Sequence, residues 1–102
     1  MIQILRSAVF DKWLNGLKDK QAVARIAARI RSFEMGNVGD CKPVKGGVWE
    51  LRVHHGAGYR IYYTQNGQVT YFLLIGGVKS TQQKDIETAV LMAKEIAKEL
   101  KS

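Results

Sequence analysis

The side chains best suited to chemistry in this sequence lie between positions 47 and 80. They are Arg52, His54, Arg60, Tyr62 and Lys79. Arginine and lysine carry permanent positive charge, and histidine titrates near neutral pH. The group therefore predicts a surface that binds a negatively charged partner. A simpler interpretation stays open, because exposed arginines on a sheet face usually only keep a protein in solution.

Two predicted strands bring these side chains together. Positions 49–53 and 59–63 alternate between apolar odd residues and polar or aromatic even residues, which is typical of strands with one face on a core. With residues 56–58 as the loop, His54 lies opposite Arg60, and Arg52 lies opposite Tyr62. Four functional groups are thus predicted to share one face of a hairpin.

A third strand follows Asn66-Gly67, the dipeptide most typical of a tight hairpin turn. Residues 69–75 are apolar at nearly every position, so we expect this strand inside the sheet with both faces covered. Gly76-Gly77 is predicted to end it. Lys79, just beyond, is expected to reach the rim of the basic face.

Three helices and a short first strand complete the predicted order. Residues 1–5 alternate as a strand, Ser7 and Asp19 are candidate N-caps of two helices, and Ser80 is the candidate N-cap of a last helix. Residues 35–47 contain four glycines and the only proline, which predicts a loop. The order β-α-α-β-β-β-α predicts one α+β domain over 1–102, an antiparallel sheet with helices mainly on one face.

The charge balance points to a polyanionic partner. Sixteen Lys and Arg against nine Asp and Glu give a net charge of +7, which favours nucleic acid or an acidic protein. No apolar run is long enough to span a membrane, and the first residues do not resemble a signal peptide, so we expect a cytoplasmic protein.

No metal or other cofactor is expected. His54 and His55 are neighbours on a predicted strand, so their side chains point to opposite faces and cannot chelate one ion. Cys41 is the only cysteine, and no acid, His or second Cys stands near it at the spacing of metal ligands.

Three stretches carry a resemblance to a known family. They are GNVGDCKPVKGGVWELRV, GAGYRIYY and LLIGGVKSTQQKDI. In these stretches and in element order, nearly the whole chain resembles the RelE/ParE superfamily of toxins from bacterial type II toxin–antitoxin modules. Within it, the similarity is greatest to the HigB-like, phage-derived branch of addiction module killer proteins. The resemblance implies a RelE/ParE-like fold and inhibition by an antitoxin, typically a helix-turn-helix protein encoded beside the toxin. In the RelE and HigB branches it also implies cleavage of messenger RNA on the ribosome.

The resemblance implies roles for individual residues. Metal-independent RNA cleavage uses the neighbouring 2′-hydroxyl as nucleophile and needs a base, an acid and cations around the phosphate. The predicted catalytic residues are Arg52, His54, Arg60 and Lys79. The predicted RNA-binding residues are Lys45, Arg52, Arg60 and Tyr62. The predicted antitoxin-binding residues, on the second helix, are Arg25 and Arg29. A solvated helix face is the commoner explanation of such charges, because amphipathic surface helices carry them routinely.

Two other functions stay open at this point. ParE-type toxins inhibit DNA gyrase and cleave nothing, and a basic RNA-binding module need not be toxic. The chain also lacks the Tyr or His that relatives commonly carry near the C-terminus, and Val78 stands where many have an acidic residue. The general base is therefore unassigned.

Overall fold

The computed structural model describes residues 2–101, and these form a five-stranded sheet with three α-helices. The elements in chain order are β1 (Gln3–Arg6), α1 (Ala8–Asn15), α2 (Lys20–Glu34), β2 (Cys41–Lys45), β3 (Val48–Val53), β4 (Tyr59–Asn66), β5 (Thr70–Val78) and α3 (Gln82–Lys101). The predicted α+β class is confirmed. Met1, in the predicted first strand, and Ser102, in the predicted domain range, lie outside the described residues.

The sheet is mixed rather than wholly antiparallel. Its strand order is β1-β5-β4-β3-β2, in which β1 pairs parallel with β5 and all other neighbours are antiparallel. The prediction of an antiparallel sheet was wrong at β1, because this strand pairs with a strand far along the chain that runs in its own direction. The predicted interior position of β5 is confirmed.

The segment predicted as a loop contains an edge strand. Residues of β2 pair antiparallel with β3, so that Cys41 lies opposite Leu51 and Pro43 opposite Trp49. Gly46 and Gly47 make the turn between them, with φ of 60° and 77°. Positive φ at two successive residues is the geometry of a tight hairpin turn, which glycine adopts without steric cost. Proline is tolerated in β2 because the strand has a neighbour on one side only.

The hairpin of β3 and β4 has a different register from the predicted one. Arg52 pairs with Arg60, and Glu50 pairs with Tyr62, so the predicted pairing is shifted by two residues. The shift arises because the connection takes five residues, 54–58, instead of three. Arg52 and Arg60 are therefore direct neighbours on one face of the sheet.

Helices cover both faces of the sheet. One hydrophobic cluster joins α1 and α2 to one face, represented by Phe10, Ile26 and Ile61. A second cluster joins α3 to the opposite face, represented by Ala89 and Tyr62. The prediction that helices lie mainly on one face was wrong, because the even residues of β4 include the large apolar surface of Tyr62, which α3 buries.

The glycine pair predicted to end β5 lies inside it. A Cβ atom at Gly76 would overlap the Trp13 ring of α1, and one at Gly77 would overlap the Asp85 carboxylate of α3. The two glycines thus let helices approach β5 closely from both sides.

Hydrogen bonds at the helix starts match the sequence in two cases of three. Ser7 accepts from the Phe10 amide at the start of α1, and Asp19 accepts from two amides at the start of α2, as predicted. At the start of α3 it is Thr81, and not Ser80, whose hydroxyl donates to Asp85. Within residues 2–101, none of the three helices has the length and apolarity required to cross a bilayer.

Candidate functional site

A cleft of about 530 Å³ opens between α2 and the end of β3. Its ionisable lining residues are Arg25, Arg29, Asp40, Arg52 and His54. The first two come from α2, Asp40 from the segment before β2, and the last two from β3 and the residue after it. Two predicted catalytic residues and both predicted antitoxin-binding residues thus share one surface.

Asp40 joins the basic groups of this cleft. Its Oδ1 accepts hydrogen bonds from Arg52 Nη2 at 3.0 Å and Nε at 3.3 Å. Its Oδ2 lies 2.5 Å from Nε2 of His54. The main chain fixes this arrangement, because the Arg52 amide donates to the Asp40 carbonyl and so extends the pairing of β2 with β3. One carboxylate therefore orients both an arginine and a histidine.

The charges of the cleft stabilise one another. The hydrogen bond from His54, followed by that from Arg52, lowers the pKa of Asp40 below its ordinary value. The same carboxylate raises the pKa of Arg52. Asp40 is consequently ionised and Arg52 charged wherever the protein is folded at neutral pH. Three guanidinium groups against one carboxylate leave the cleft cationic.

Asp40 leaves one nitrogen of His54 available for chemistry. When His54 is neutral and Nε2 donates its proton to Asp40, the lone pair stands on Nδ1. The side chain is 73% exposed, so a substrate can reach that nitrogen. A histidine that is held by a carboxylate on one side and open on the other suits proton transfer.

The α2 side of the cleft is shaped around a glycine. Arg29 donates from Nη2 to the Val38 carbonyl at 3.0 Å, and its guanidinium lies against Gly39. A Cβ at Gly39 would lie only 2.7 Å from Nη1 of Arg29, and the φ angle of Gly39 is +63°. Among residues 2–101 neither Arg25 nor Arg29 pairs with a carboxylate, so both charges remain available to an anion.

Arg60 belongs to a second, buried network. Its Nε donates to Oε1 of Glu50 at 2.5 Å, and Gln82 of α3 donates to Oε2 of the same carboxylate at 3.1 Å. The Glu50 side chain is 0% exposed and that of Arg60 is 11% exposed. Arg60 also donates to the Gly58 carbonyl, which ties it to the connection between the strands. Arg60 therefore lies beside Arg52 on the sheet but is engaged by Glu50.

The remaining predicted site residues lie away from the cleft lining. Tyr62 is buried beneath α3, where burial raises the pKa of its phenol, and its hydroxyl is the one buried side-chain polar atom without a partner in the described part of the chain. A base cannot stack on it there, so the predicted RNA-binding role of Tyr62 is corrected. Lys79 is exposed beside Gly58 at the end of β5, and Lys45 lines a separate groove between β2 and α3.

Asp40 and Glu50 were not predicted from the sequence as site residues. They are the acidic partners of Arg52 and Arg60, respectively. The signal was present for Asp40, because Gly46-Gly47 is a hairpin turn sequence that folds the preceding residues back along β3. No described cluster of three or more His, Cys, Asp or Glu side chains in residues 2–101 is arranged to hold a metal ion.

Comparison with known proteins gives the family. The family described as "Phage derived protein Gp49-like (DUF891)" matches residues 12–99. An uncharacterized protein of Haemophilus influenzae is 48% identical over 95 residues, which cover 93% of this chain and 96% of that protein. The match includes both the cleft and the buried network. The chain therefore belongs to the phage-derived Gp49-like family, a toxin-like family of the RelE and HigB type.

Proposed function

We propose that this protein is the toxin of a type II toxin–antitoxin module and acts in the cytoplasm as a metal-independent, ribosome-associated endoribonuclease that cuts messenger RNA. The family supports the toxin class. The observation that carries the nuclease is the Asp40 carboxylate shared by Arg52 and His54 within a cationic cleft. In this arrangement His54 can transfer protons, and the arginines of the cleft can bind phosphate.

The cleft supplies what cleavage through the 2′-hydroxyl requires. Nδ1 of His54 removes the proton of the 2′-hydroxyl, and the oxygen attacks the adjacent phosphorus. The bond from phosphorus to the 5′-oxygen then breaks, and the leaving 5′-oxygen takes a proton from solvent water. The products are a 2′,3′-cyclic phosphate and a 5′-hydroxyl, and the imidazolium of His54 returns its proton to solvent. Arg52 donates hydrogen bonds to the phosphoryl oxygens as negative charge develops on them. Stabilisation of developing charge is usually the largest single contribution to catalysis.

Other basic residues bind the RNA chain instead of reacting with it. Arg25 and Arg29 line the cleft, have no carboxylate partner in the described part of the chain, and bind flanking phosphates in this proposal. Lys79 adds charge at the rim. Arg60 acts indirectly in this proposal. Its hydrogen bond with Glu50 holds β4 against β3, the strand that carries Arg52.

The antitoxin is proposed to cover the same cleft with an acidic segment. A partner that neutralises Arg25 and Arg29 lies on the surface that also exposes Arg52 and His54. Opposite potentials accelerate such an association. Inhibition then requires no separate surface, since the bound segment excludes the phosphate chain.

The test is induced expression of the wild type, Arg52→Ala and His54→Ala. Growth and translation should stop with the wild type, and sequencing of RNA ends should detect new 5′-hydroxyl termini. Removing an electrostatic donor costs about 10²–10³ in rate and removing a general base about 10²–10⁴, so both variants should be harmless. Arg31→Ala, an exposed arginine on α2 outside the cleft, is the matched control and should remain toxic.

Other outcomes point to other functions. Intact transcripts with an induced SOS response identify a gyrase inhibitor. Harmless expression of the wild type, with RNA still bound in a salt-dependent manner, identifies a binding module. A double variant of Arg52 and His54 that stays toxic and keeps the wild-type melting curve removes the cleft from the mechanism.

A further inference from the structure

A second groove, of about 230 Å³, lies next to the cationic cleft. Its lining includes Val38, Gly39, Cys41, Trp49, Tyr63 and Tyr71. Phe33 of α2 contacts the last two rings edge-on, at centroid distances of 5.1 and 4.8 Å. The groove therefore has an aromatic floor, and we call it the aromatic groove.

Trp49 gives this groove a fixed ring face. Its side chain lies 6.4 Å from the Tyr63 ring at an interplanar angle of 22°, and Trp49 is 38% exposed. Trp49 also stands on β3 between two paired strands, opposite Pro43 on one side and Tyr63 on the other. A large aromatic ring that is partly exposed and held by the sheet is a preformed surface for stacking.

The aromatic groove and the cationic cleft meet at one short segment. Gly39 lines both, Asp40 lines only the cleft, and Val38 and Cys41 line only the groove. Arg29 holds this segment through its hydrogen bond to the Val38 carbonyl. A charged surface and an aromatic surface thus lie on the two sides of a ridge one chain thick.

We propose that the aromatic groove binds one nucleobase of the single-stranded RNA whose phosphates occupy the cleft. This inference rests on the proposed function. Proteins that bind single-stranded nucleic acid combine a positive groove for the backbone with aromatic rings for the bases. The volume is below the roughly 300 Å³ at which pockets for larger ligands begin, which suits a single base. Stacking on Trp49 tolerates any base, so the groove holds the strand in place without selecting a sequence.

The occupant is a base rather than an apolar protein side chain because of the neighbouring charge. The polymer that satisfies both surfaces carries a negative group and a flat ring in every repeat. RNA has that structure, so a single RNA strand can place its phosphates in the cleft and a base in the groove. Cleavage through a 2′-hydroxyl requires a strand fixed on at least one side of the reacting phosphate, which the groove provides.

Binding of a 2′-O-methyl oligoadenylate of about six nucleotides tests the proposal, because this RNA cannot be cut through its 2′-oxygens. The comparison probe is the same backbone with abasic positions. Fluorescence anisotropy with the full chain should show that Trp49→Ala binds the oligoadenylate about 5- to 150-fold more weakly. Trp49→Tyr should retain most of the affinity. Leu91→Ala, at an exposed apolar residue on α3, is the matched control and should bind as the wild type does.

The abasic probe and a cleft variant separate the possible results. Wild type and Trp49→Ala should bind the abasic backbone equally, since it offers nothing to stack. If Trp49→Ala binds the oligoadenylate like the wild type while Arg52→Ala loses affinity, the groove proposal is overturned and the proposed function stands. If Arg52→Ala keeps full affinity while Trp49→Ala loses it, base binding in the groove is supported, and the proposed function, which places the phosphates in the cleft, is overturned. A Trp49→Ala variant that keeps RNA affinity but no longer binds the antitoxin makes the groove a protein contact and overturns the proposal.

Discussion

Replacing Arg60 by alanine is expected to destabilise the fold strongly, because Arg60 is the ion-pair partner of a buried carboxylate. The substitution leaves the Glu50 carboxylate fully buried, and Gln82 is then its one remaining side-chain hydrogen-bond donor among residues 2–101. Breaking a buried ion pair by removing one partner costs roughly 3–5 kcal/mol. A small domain has about 5–15 kcal/mol of stability in total, so this loss is a large share of it.

The expected shift is large enough to measure without ambiguity. In a domain of this size each kcal/mol of lost stability lowers the melting temperature by about 4–8 °C. A loss of at least ~3 kcal/mol should therefore lower the melting temperature of Arg60→Ala by at least ~12 °C. In urea the midpoint should fall by at least ~1 M. Far-UV circular dichroism measures both. Arg52→Ala, at a partly exposed pair on the neighbouring strand, is the matched control and should change the midpoint far less.

A double variant separates pairing from simple loss of packing. Glu50→Leu combined with Arg60→Met removes both charges at similar volume, and such replacements are often neutral or stabilising. The double variant should therefore be more stable than either Arg60→Ala or Glu50→Ala. An Arg60→Ala variant with the wild-type midpoint would show that the Glu50 pair does not support the fold, and the reasoning from burial would fail.

Two further predictions concern other parts of the chain. Gly76→Ala should lower stability by about 1–3 kcal/mol because its Cβ overlaps Trp13, whereas Gly16→Ala, where a Cβ meets only ordinary contacts, should change the thermal midpoint little. The pKa of Asp40 is lower in the folded protein than its ordinary value of 3.8, so its ionised form stabilises the folded state at pH values above 3.8. This stabilisation is lost as the pH falls through the folded-state pKa. Urea midpoints of wild type and Asp40→Asn should therefore converge in acid, and parallel pH curves would contradict the assignment.

The sequence was sufficient for local structure where short-range signals decide it. The caps at Ser7 and Asp19 start α1 and α2, and the period of two locates β3 and β4. These features depend on residues within one turn or one strand. They are therefore written in the local sequence and do not require knowledge of distant contacts.

The features that the sequence did not predict depend on contacts between distant parts of the chain. The strand alternation correctly separates odd from even residues, but it does not say that α3, some thirty residues later, buries the even face at Glu50 and Tyr62. The register of β3 with β4 depends on the length of the turn, and the turn took two more residues than its glycines suggested. Asp40 entered the site only because β2 pairs with β3, a pairing hidden by the loop-like composition around Pro43.

The two open edges of the sheet affect how the chain behaves at high concentration. Open edges present unpaired main-chain groups and promote aggregation when they are long and flat. Here β1 has only four residues, and β2 carries Pro43, a register irregularity and the exposed charges of Lys42 and Lys45. Proline offers no amide to an incoming strand, and the lysines of two molecules repel each other. Both edges are thereby protected against edge-to-edge pairing of the sheets of two molecules. This protection favours recovery of the folded chain at the concentrations that the binding and unfolding experiments require.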